Sequence, residues 1–140
     1  MVTVYDVSPE KLIEKTAAKL KEFGELESPE WAYYAKTGAN REKGPIQEDW
    51  WYSRAASILR KVYLKGPIGT SRLSAHYGGY ADRGSKPNKS VKGSGSITRK
   101  CLMQLESAGL VVRNGNKGRV VTAKGQSLLD NIAKEVHTQE

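Results

Sequence analysis

The sequence predicts a mainly α-helical fold of the winged helix-turn-helix class, with extra helices at the N-terminus and one at the C-terminus. Three observations predict it: a series of amphipathic helical segments, a helix that stops at Gly109, and two short apolar strands that follow it. The second strand leads through Thr122 into a last helical segment. This order is typical of a winged helix, and 140 residues fit a single domain spanning 1–140.

The first helix has a clear start and a clear stop. Ser8 followed by Pro9 is the pattern of an N-cap with proline at the first helical position, and Gly24 ends the segment. Its apolar stripe at helical spacing consists of Leu12, Ile13, Thr16, Ala17, Leu20 and Phe23. A second start signal at Ser28-Pro29 predicts a short aromatic helix over 31–34, and the segment 37–49 has the composition of a loop.

The next helix, predicted from Asp49 to about Lys65, carries two adjacent tryptophans. At about 100° per residue, Trp51 falls on an apolar stripe with Ala55, Ile58, Leu59 and Val62. Trp50 falls on a separate stripe with Arg54, Ser57, Lys61 and Lys65. We therefore assign Trp51 to the core and Trp50 to a surface where an aromatic ring stacks on an unpaired base. The alternative is that Trp50 packs on the aromatic helix at 31–34, which is compatible if one face of the ring stays open.

A short helix at 71–76 and a longer one from Ser96 to Gly109 form the predicted helix-turn-helix. In the longer helix the buried side comprises Ile97, Cys101, Leu105 and Ala108. Its outer face, where a recognition helix presents its contacts, carries Arg99, Lys100 and Met103. A merely solvated face would explain Lys100 and fits Met103 less well.

A long basic loop separates these two helices. It runs from Gly78 to Gly95, 18 residues, where a DNA-reading helix-turn-helix uses about three or four. Four basic residues, Arg83, Lys86, Lys89 and Lys92, stand against the single acid Asp82. Because the loop is too basic and too rich in glycine to pack a core, we expect no regular structure there without a partner. The alternative is a flexible linker with incidental lysines.

The wing and the last helix follow. Asn114-Gly115-Asn116 is a hairpin turn signal between predicted strands at 110–112 and 119–121. Thr122 then caps a helix from 123 to about 136, whose inward residues are Leu128, Leu129 and Ile132.

The net charge of +8 is concentrated in the middle of the chain. Residues 31–65 carry a net +4 and residues 66–100 a net +6, whereas residues 1–30 carry a net −3. This distribution is expected for a protein with a polyanionic partner. A charge excess that serves only solubility is the alternative, although an even distribution would serve it equally well.

Several function classes are disfavoured by the composition. The single Cys101 cannot form an internal disulfide and has no plausible base beside it. The sequence lacks metal-ligand spacing, a phosphate-cradling GxxxxGK motif and paired carboxylates on a shared face. No run of about 18 apolar residues or charged-then-apolar leader occurs. We therefore expect a soluble intracellular protein that is not an enzyme and needs no cofactor or metal.

Five stretches of the chain carry a family resemblance: PEWAYYAKTG, DWWYSRAASILRKVYLKGPIG, AHYGGYADRGSKP, SGSITRKCLMQLESAGLV and GRVVTAKGQSLLD. They resemble the nineteen-e family of small-subunit ribosomal proteins of archaea and eukaryotes, over essentially the whole chain. The compact length is closer to archaeal members. The resemblance implies a constituent of the head of the small ribosomal subunit that binds ribosomal RNA beside neighbouring ribosomal proteins. In eukaryotes the family also serves maturation of the precursor RNA.

The resemblance places the family's basic surface on Trp50, Arg54 and Arg60, and its glycine loop and following helix on Arg99 and Lys100. Where the family often has Phe, this chain has Trp51. The full set of predicted RNA-binding residues is Trp50, Arg54, Arg60, Lys61, Arg83, Lys86, Lys89, Lys92, Arg99 and Lys100. We expect a cytoplasmic, ribosomal location and a monomer when free. The rival interpretation is a winged-helix DNA-binding transcription regulator, which shares the helix order but does not need the long basic insertion.

Overall fold

The computed structural model describes residues 3–24, 26–27, 50–77, 79–83, 86–91, 95–115 and 117–139. The helix predicted at 31–34 and the loop predicted at 37–49 lie outside these residues, as do Asp49 and Lys92. Strands 79–83 and 86–91 are described by their backbone and pairing.

The described residues form a mainly α-helical winged helix, which confirms the predicted fold class. A 3-10 turn at Val4–Asp6 precedes the first helix. The helices are α1 (Pro9–Leu20), α2 (Trp50–Lys65), α3 (Thr70–His76), α4 (Gly95–Ser107) and α5 (Ala123–Gln139). The strands are β1 (Gly79–Arg83), β2 (Lys86–Val91), β3 (Val111–Arg113) and β4 (Arg119–Val121).

Helix ends follow the local chemistry of their residues. Helix α1 starts at Pro9 after Ser8 in extended conformation, and it ends at Leu20, earlier than predicted, with turns before Gly24. At the start of α5 the Thr122 hydroxyl accepts a hydrogen bond from the amide of Gly125 at 3.1 Å, which is the predicted N-cap. The same hydroxyl donates to the carbonyl of Gly109 at 2.7 Å, so the cap also ties α5 to the end of α4.

The core lies between α1, α2, α4 and α5, and its centre is the apolar stripe of α2. All five residues of the predicted stripe are fully buried: Trp51, Ala55, Ile58, Leu59 and Val62. The predicted inner sides of α4 and α5 are buried as well, except that Leu128 is only half-buried. Trp51 also forms a polar link, because its Nε1 donates to Oε1 of Gln104 on α4 at 2.8 Å.

The wing is the antiparallel hairpin of β3 and β4, in which Val112 pairs with Val120. A third segment joins it, because the Ile68 and Arg119 backbones exchange two hydrogen bonds of 3.2 and 3.0 Å. Gly118 is required beside this bridge: its φ is +113°, and an added Cβ would lie 2.5 Å from the carbonyl carbon of Ile68. The base of the wing is therefore held against the connection between α2 and α3.

In the insertion between α3 and α4, residues Gly79–Arg83 and Lys86–Val91 form two strands, so the expectation of no regular structure was wrong for them. Strands β1 and β2 pair antiparallel, with Gly79 opposite Val91 and Arg83 opposite Lys86. The pairing shifts register between Ala81 and Arg83, opposite the part of β2 that contains Pro87. Proline is tolerated in a strand at such irregularities and on edges, where no ladder hydrogen bond is lost. The backbone can thus satisfy its own hydrogen bonds although the composition resembles a loop.

Candidate nucleic-acid interface

The two tryptophans of α2 have separate environments, as the helical spacing predicts. Trp51 is fully buried, whereas Trp50 is half-buried at the first position of the helix. The rings meet edge to face, with centroids 5.5 Å apart and an interplanar angle of 73°. Trp50 therefore packs on the core and keeps part of its surface accessible. Whether it also packs on 31–34 falls outside the described residues.

Farther along α2, two cations of the second stripe converge on one aromatic ring. Cζ of Arg54 lies 4.0 Å from the centroid of Tyr77, and Nζ of Lys61 lies 5.2 Å from it. Tyr77 is the residue that ends α3, and its hydroxyl forms a 2.6 Å hydrogen bond with Ser57 Oγ. We call these four residues the Tyr77 cluster. It joins the middle of α2 to the end of α3.

The Tyr77 cluster has a strongly positive electrostatic environment. Partial burial lowers the pKa of the Lys61 ammonium, and neighbouring positive charges lower it further. Those charges belong to Arg60, Lys65 and Arg54. Nε of Arg60 is buried and has no hydrogen-bond partner among the described residues. Crowded like charges of this kind are stabilised by a polyanion that neutralises them.

Tyr77 is itself partly removed from water. Burial raises the pKa of its phenol, while the hydrogen bond with Ser57 and the charge of Arg54 act in the opposite direction. The ring is thus neutral around pH 7, with a hydroxyl bonded to α2 and two cations within cation–π distance of its centroid.

The outer face of α4 presents a second group of predicted contacts. Arg99 and Lys100 are exposed, and the side chain of Met103 is 48% exposed. Together with Ser96 these residues line an open groove. Both cations therefore lie where a winged helix presents its recognition helix, and an accessible apolar side chain lies beside them.

Three of the four remaining predicted cations, Arg83, Lys86 and Lys89, lie in the strands of the inserted hairpin. Arg83 and Lys86 are directly paired across its turn end, and Lys89 is paired with Ala81. The hairpin thus brings Arg83 and Lys86, which the sequence separates by Gly84-Ser85, to opposite positions of one ladder. Lys92 lies outside the described residues.

Other kinds of site find little support in the described part of the chain. Cys101 is fully buried, and burial raises the pKa of its thiol to about 12, which agrees with its assignment as a core residue. Over the described ranges no group of three or more His, Cys, Asp or Glu side chains could hold a metal ion. Within the same ranges no helix is long and apolar enough to cross a membrane.

Sequence reasoning missed Tyr77. The residue directly follows a helix too short to show a stripe of its own, and its partners come from a different helix. Ser57, which fixes its hydroxyl, did stand on the predicted cationic stripe. A serine between cations on a helix surface was the available signal, because its hydroxyl suggests that the stripe packs against a hydrogen-bonding neighbour.

Comparison with known proteins identifies the family. A family model described as Ribosomal protein S19e matches residues 3–139. The chain belongs to this family. The resemblance found in the sequence is thereby confirmed, and so is the prediction that the chain is not an enzyme, because S19e proteins are structural components of the ribosome.

Relatives within the S19e family come from archaea and from a eukaryote, and each is named a small ribosomal subunit protein eS19. The Thermoplasma volcanium protein is 49% identical over 99% of this chain and 92% of its own length. The Aeropyrum pernix protein is 48% identical over 97% of this chain and 90% of its own. The eS19A protein of Schizosaccharomyces pombe is 40% identical over 99% of this chain and 96% of its own.

Proposed function

We propose that this S19e protein is a structural constituent of the small ribosomal subunit, located in its head, that binds ribosomal RNA. The observation that carries the proposal is the Tyr77 cluster, in which Arg54 and Lys61 lie over one ring. Guanidinium and ammonium groups are the side chains that neutralise backbone phosphates, so the cluster gathers two phosphate-binding groups at one ring. The names of the relatives, small ribosomal subunit protein eS19, support the assignment to the small ribosomal subunit.

The binding surface extends from α2 to the cations beyond it. It includes Trp50 and Arg60 on α2, the exposed Arg99 and Lys100 on α4, and the cations of the inserted hairpin. Affinity in this arrangement comes mainly from phosphates, because Arg and Lys outnumber the aromatic residues on the surface. Stacking by the accessible part of Trp50 adds a preference for unpaired bases over a regular duplex.

The RNA interpretation is favoured over the transcription regulator by the element between α3 and α4. A regulator places its recognition helix in the major groove after a turn of about three or four residues. Here a two-stranded hairpin with its own cations occupies that connection. Such an element suits the irregular phosphate surface of a folded RNA better than a uniform groove.

The proposal includes partners and a place of action. The protein is a monomer when free, joins neighbouring small-subunit proteins on the RNA, and resides in cytoplasmic ribosomes. It also assists subunit assembly and maturation of the precursor RNA, since a protein that binds several RNA segments stabilises their native arrangement. The assembly and maturation roles require RNA binding, so a preference for duplex DNA would argue against them as well.

The test is salt-resolved competition between RNA and DNA. The purified protein is titrated with full-length small-subunit ribosomal RNA, transcribed in vitro from an archaeal gene, against duplex DNA of equal total charge. Folded ribosomal RNA exposes unpaired bases and irregularly spaced phosphates, whereas duplex DNA does not. We therefore expect tighter binding to the RNA at every salt concentration. Equal or tighter binding to the duplex would contradict the proposal and favour the regulator.

A matched pair of variants locates the interface. Arg54→Gln/Lys61→Gln removes two charges from the Tyr77 cluster, and Lys19→Gln/Lys134→Gln removes two exposed charges from α1 and α5. Both lower the net charge equally, so a nonspecific charge effect would weaken RNA binding to the same degree. We expect the first variant to lose affinity and salt dependence, and the second to keep most of both.

A further inference from the structure

We propose that Tyr77 is a positioning residue of the RNA-binding surface, which holds Arg54 and Lys61 together as one phosphate-binding pair. This inference rests on the proposed function and names the device by which its central site is ordered. Tyr77 was not among the residues that the sequence predicted to contact RNA. Its role is to act through the two cations.

The geometry gives one ring two cations. Arg54 and Lys61 are two turns apart on α2, so their side chains leave the helix on the same side. Their charged groups lie 4.0 and 5.2 Å from the centroid of Tyr77. Both distances are within the about 6 Å at which a cation is attracted by the face of an aromatic ring.

The ring is itself fixed from two directions. Its backbone ends α3, with the amide of Tyr77 hydrogen-bonded to the carbonyl of Ser74 at 3.2 Å. Its hydroxyl is bonded to Ser57 Oγ at 2.6 Å, and Ser57 lies between Arg54 and Lys61 along α2. A ring held at both ends has a defined position relative to the helix that carries the cations. It therefore limits the rotamers available to both side chains.

Holding Arg54 and Lys61 over one ring lowers the free-energy cost of binding a phosphate with two long side chains. Free Arg and Lys side chains lose rotamer freedom when they bind, and two like charges also repel each other. The π-system of Tyr77 offsets part of that repulsion and orders the side chains before RNA arrives. Arginine suits such a pair because its planar guanidinium can interact both with an aromatic ring and with a phosphate oxygen.

A purely structural role for Tyr77 is the competing explanation, since the residue is half-buried and packs against the core. The two explanations differ in what mediates the effect on RNA. A structural residue affects RNA binding whether or not Arg54 and Lys61 are present. A positioning residue affects it only while those two cations are there to be positioned.

The test is a double-mutant cycle on full-length chain, with the same archaeal small-subunit ribosomal RNA transcript as probe. Tyr77→Leu removes the ring, and Tyr77→Met removes it while keeping a longer side chain in case the leucine variant does not fold. Tyr77→Phe keeps the ring and removes only the hydroxyl. Each is measured alone and combined with Arg54→Gln/Lys61→Gln, and thermal unfolding verifies that each protein is folded.

We expect loss of the ring to weaken RNA binding about three- to tenfold in the native background, the range given by a partly desolvated cation–π contact. In the Arg54→Gln/Lys61→Gln background the same change has no further effect on affinity. Tyr77→Phe keeps the ring and releases only its hydroxyl end from Ser57, so it should lose less affinity than Tyr77→Leu does. An equal loss in both backgrounds would overturn the inference in favour of a structural role.

The cycle also separates failure of the inference from failure of the proposed function. If Arg54→Gln/Lys61→Gln weakens RNA binding while Tyr77→Leu and Tyr77→Met do not, the surface binds RNA without Tyr77 as an organiser. If Arg54→Gln/Lys61→Gln binds RNA as well as Lys19→Gln/Lys134→Gln does, the RNA-binding surface lies elsewhere and the inference about Tyr77 fails, whereas RNA binding itself is decided by the competition with duplex DNA.

Discussion

Helix α2 presents two stripes that share a backbone and differ in everything else. The Trp51 stripe is apolar and fully buried, and its single polar atom, Nε1, is satisfied by Gln104. The Trp50 stripe carries the cations and is half-buried from Trp50 to Lys61, while Lys65 at its end is exposed. It meets Tyr77 rather than the core interior. Trp50 and Trp51 differ by one step of about 100° around the helix, so rotation alone assigns one to stability and the other to the surface.

Partial burial is what makes the second stripe useful. A fully solvated lysine is screened by water, and a fully buried one loses its proton. Lys61 lies between these limits, and its lowered pKa has burial as the first cause and adjacent cations as the others. The comparison of the two stripes shows that the cations of the proposed site are close together because they lie on the same helix that supports the core.

The largest expected effect is on the buried stripe. Trp51→Ala should lower the free energy of unfolding by about 3–5 kcal/mol, because it opens a cavity in the core. It also leaves the Gln104 amide, which donates to the carbonyl of Glu27 at 2.8 Å, without its indole donor. Chemical denaturation measures the loss, with Trp51→Phe as control. The control keeps most of the ring volume, so it should cost much less, and an equal loss in both would contradict the cavity explanation.

Trp50→Ala should act mainly on RNA. If the accessible part of the ring stacks on a base, affinity falls by about 1–3 kcal/mol. Stability falls by only about 0.5–1.5 kcal/mol, the value of an aromatic pair, because the edge-to-face packing on Trp51 disappears. Binding and denaturation measured on the same protein separate the two terms. Destabilisation as large as that of Trp51→Ala, without a binding defect, would abolish the distinction between the stripes.

Each cation of the segment between α3 and α4 should matter less than Trp50. Changing Lys86, Lys89 and Lys92 to Gln should flatten the slope of log affinity against log salt by roughly 0.7–0.9 for each phosphate that the protein then fails to neutralise. The measurement is RNA binding across a salt series, with the three substitutions made singly and together. An unchanged slope would show that the hairpin makes no ionic contact with RNA and that the Trp50 stripe acts without it.

The smallest expected effect is a pH dependence at Lys61. Its pKa is lowered in the free protein, so the ammonium loses its proton at a lower pH than an ordinary lysine does. RNA phosphates favour the protonated form, and affinity should therefore decline as pH rises through that lowered pKa. Lys61→Arg is the control, because a guanidinium does not titrate in this range. The same decline in both proteins would assign it to another group.

Much of the fold could be read from the sequence because its signals are local. The apolar stripes of α2, α4 and α5 follow from helical spacing, and the α5 start follows from Thr122. The wing follows from the turn signal at Gly115, whose φ is +54°. Each of these features depends on residues within one or two turns of one another, where periodicity and capping chemistry are informative.

Sequence reasoning missed features that depend on contacts between residues far apart in the sequence, or between residues in segments without a clear hydrophobic pattern. The inserted hairpin was hidden by its glycine, serine and lysine content, although Gly84-Ser85 is a recognised two-residue turn signal. The backbone bridge from Ile68 to Arg119 leaves no repeat in the sequence. Tyr77 shows its role only when α3 is packed against α2. At the proposed site, the sequence predicted the cations Arg54 and Lys61 and missed Tyr77, which contacts both.

The attachment of the wing has a mechanical consequence. Its base is fixed in two places: at the Ile68 bridge, beside which Gly118 packs closely, and at the Thr122 hydroxyl, which bonds the Gly109 carbonyl. On α4, Glu106 pairs with Arg119 of one wing strand at 3.5 Å and with Arg113 of the other at 3.8 Å. The spacing between the recognition helix α4 and the wing is thus fixed by several independent contacts. If the proposed RNA contacts both elements, it has to present its phosphates at that fixed spacing.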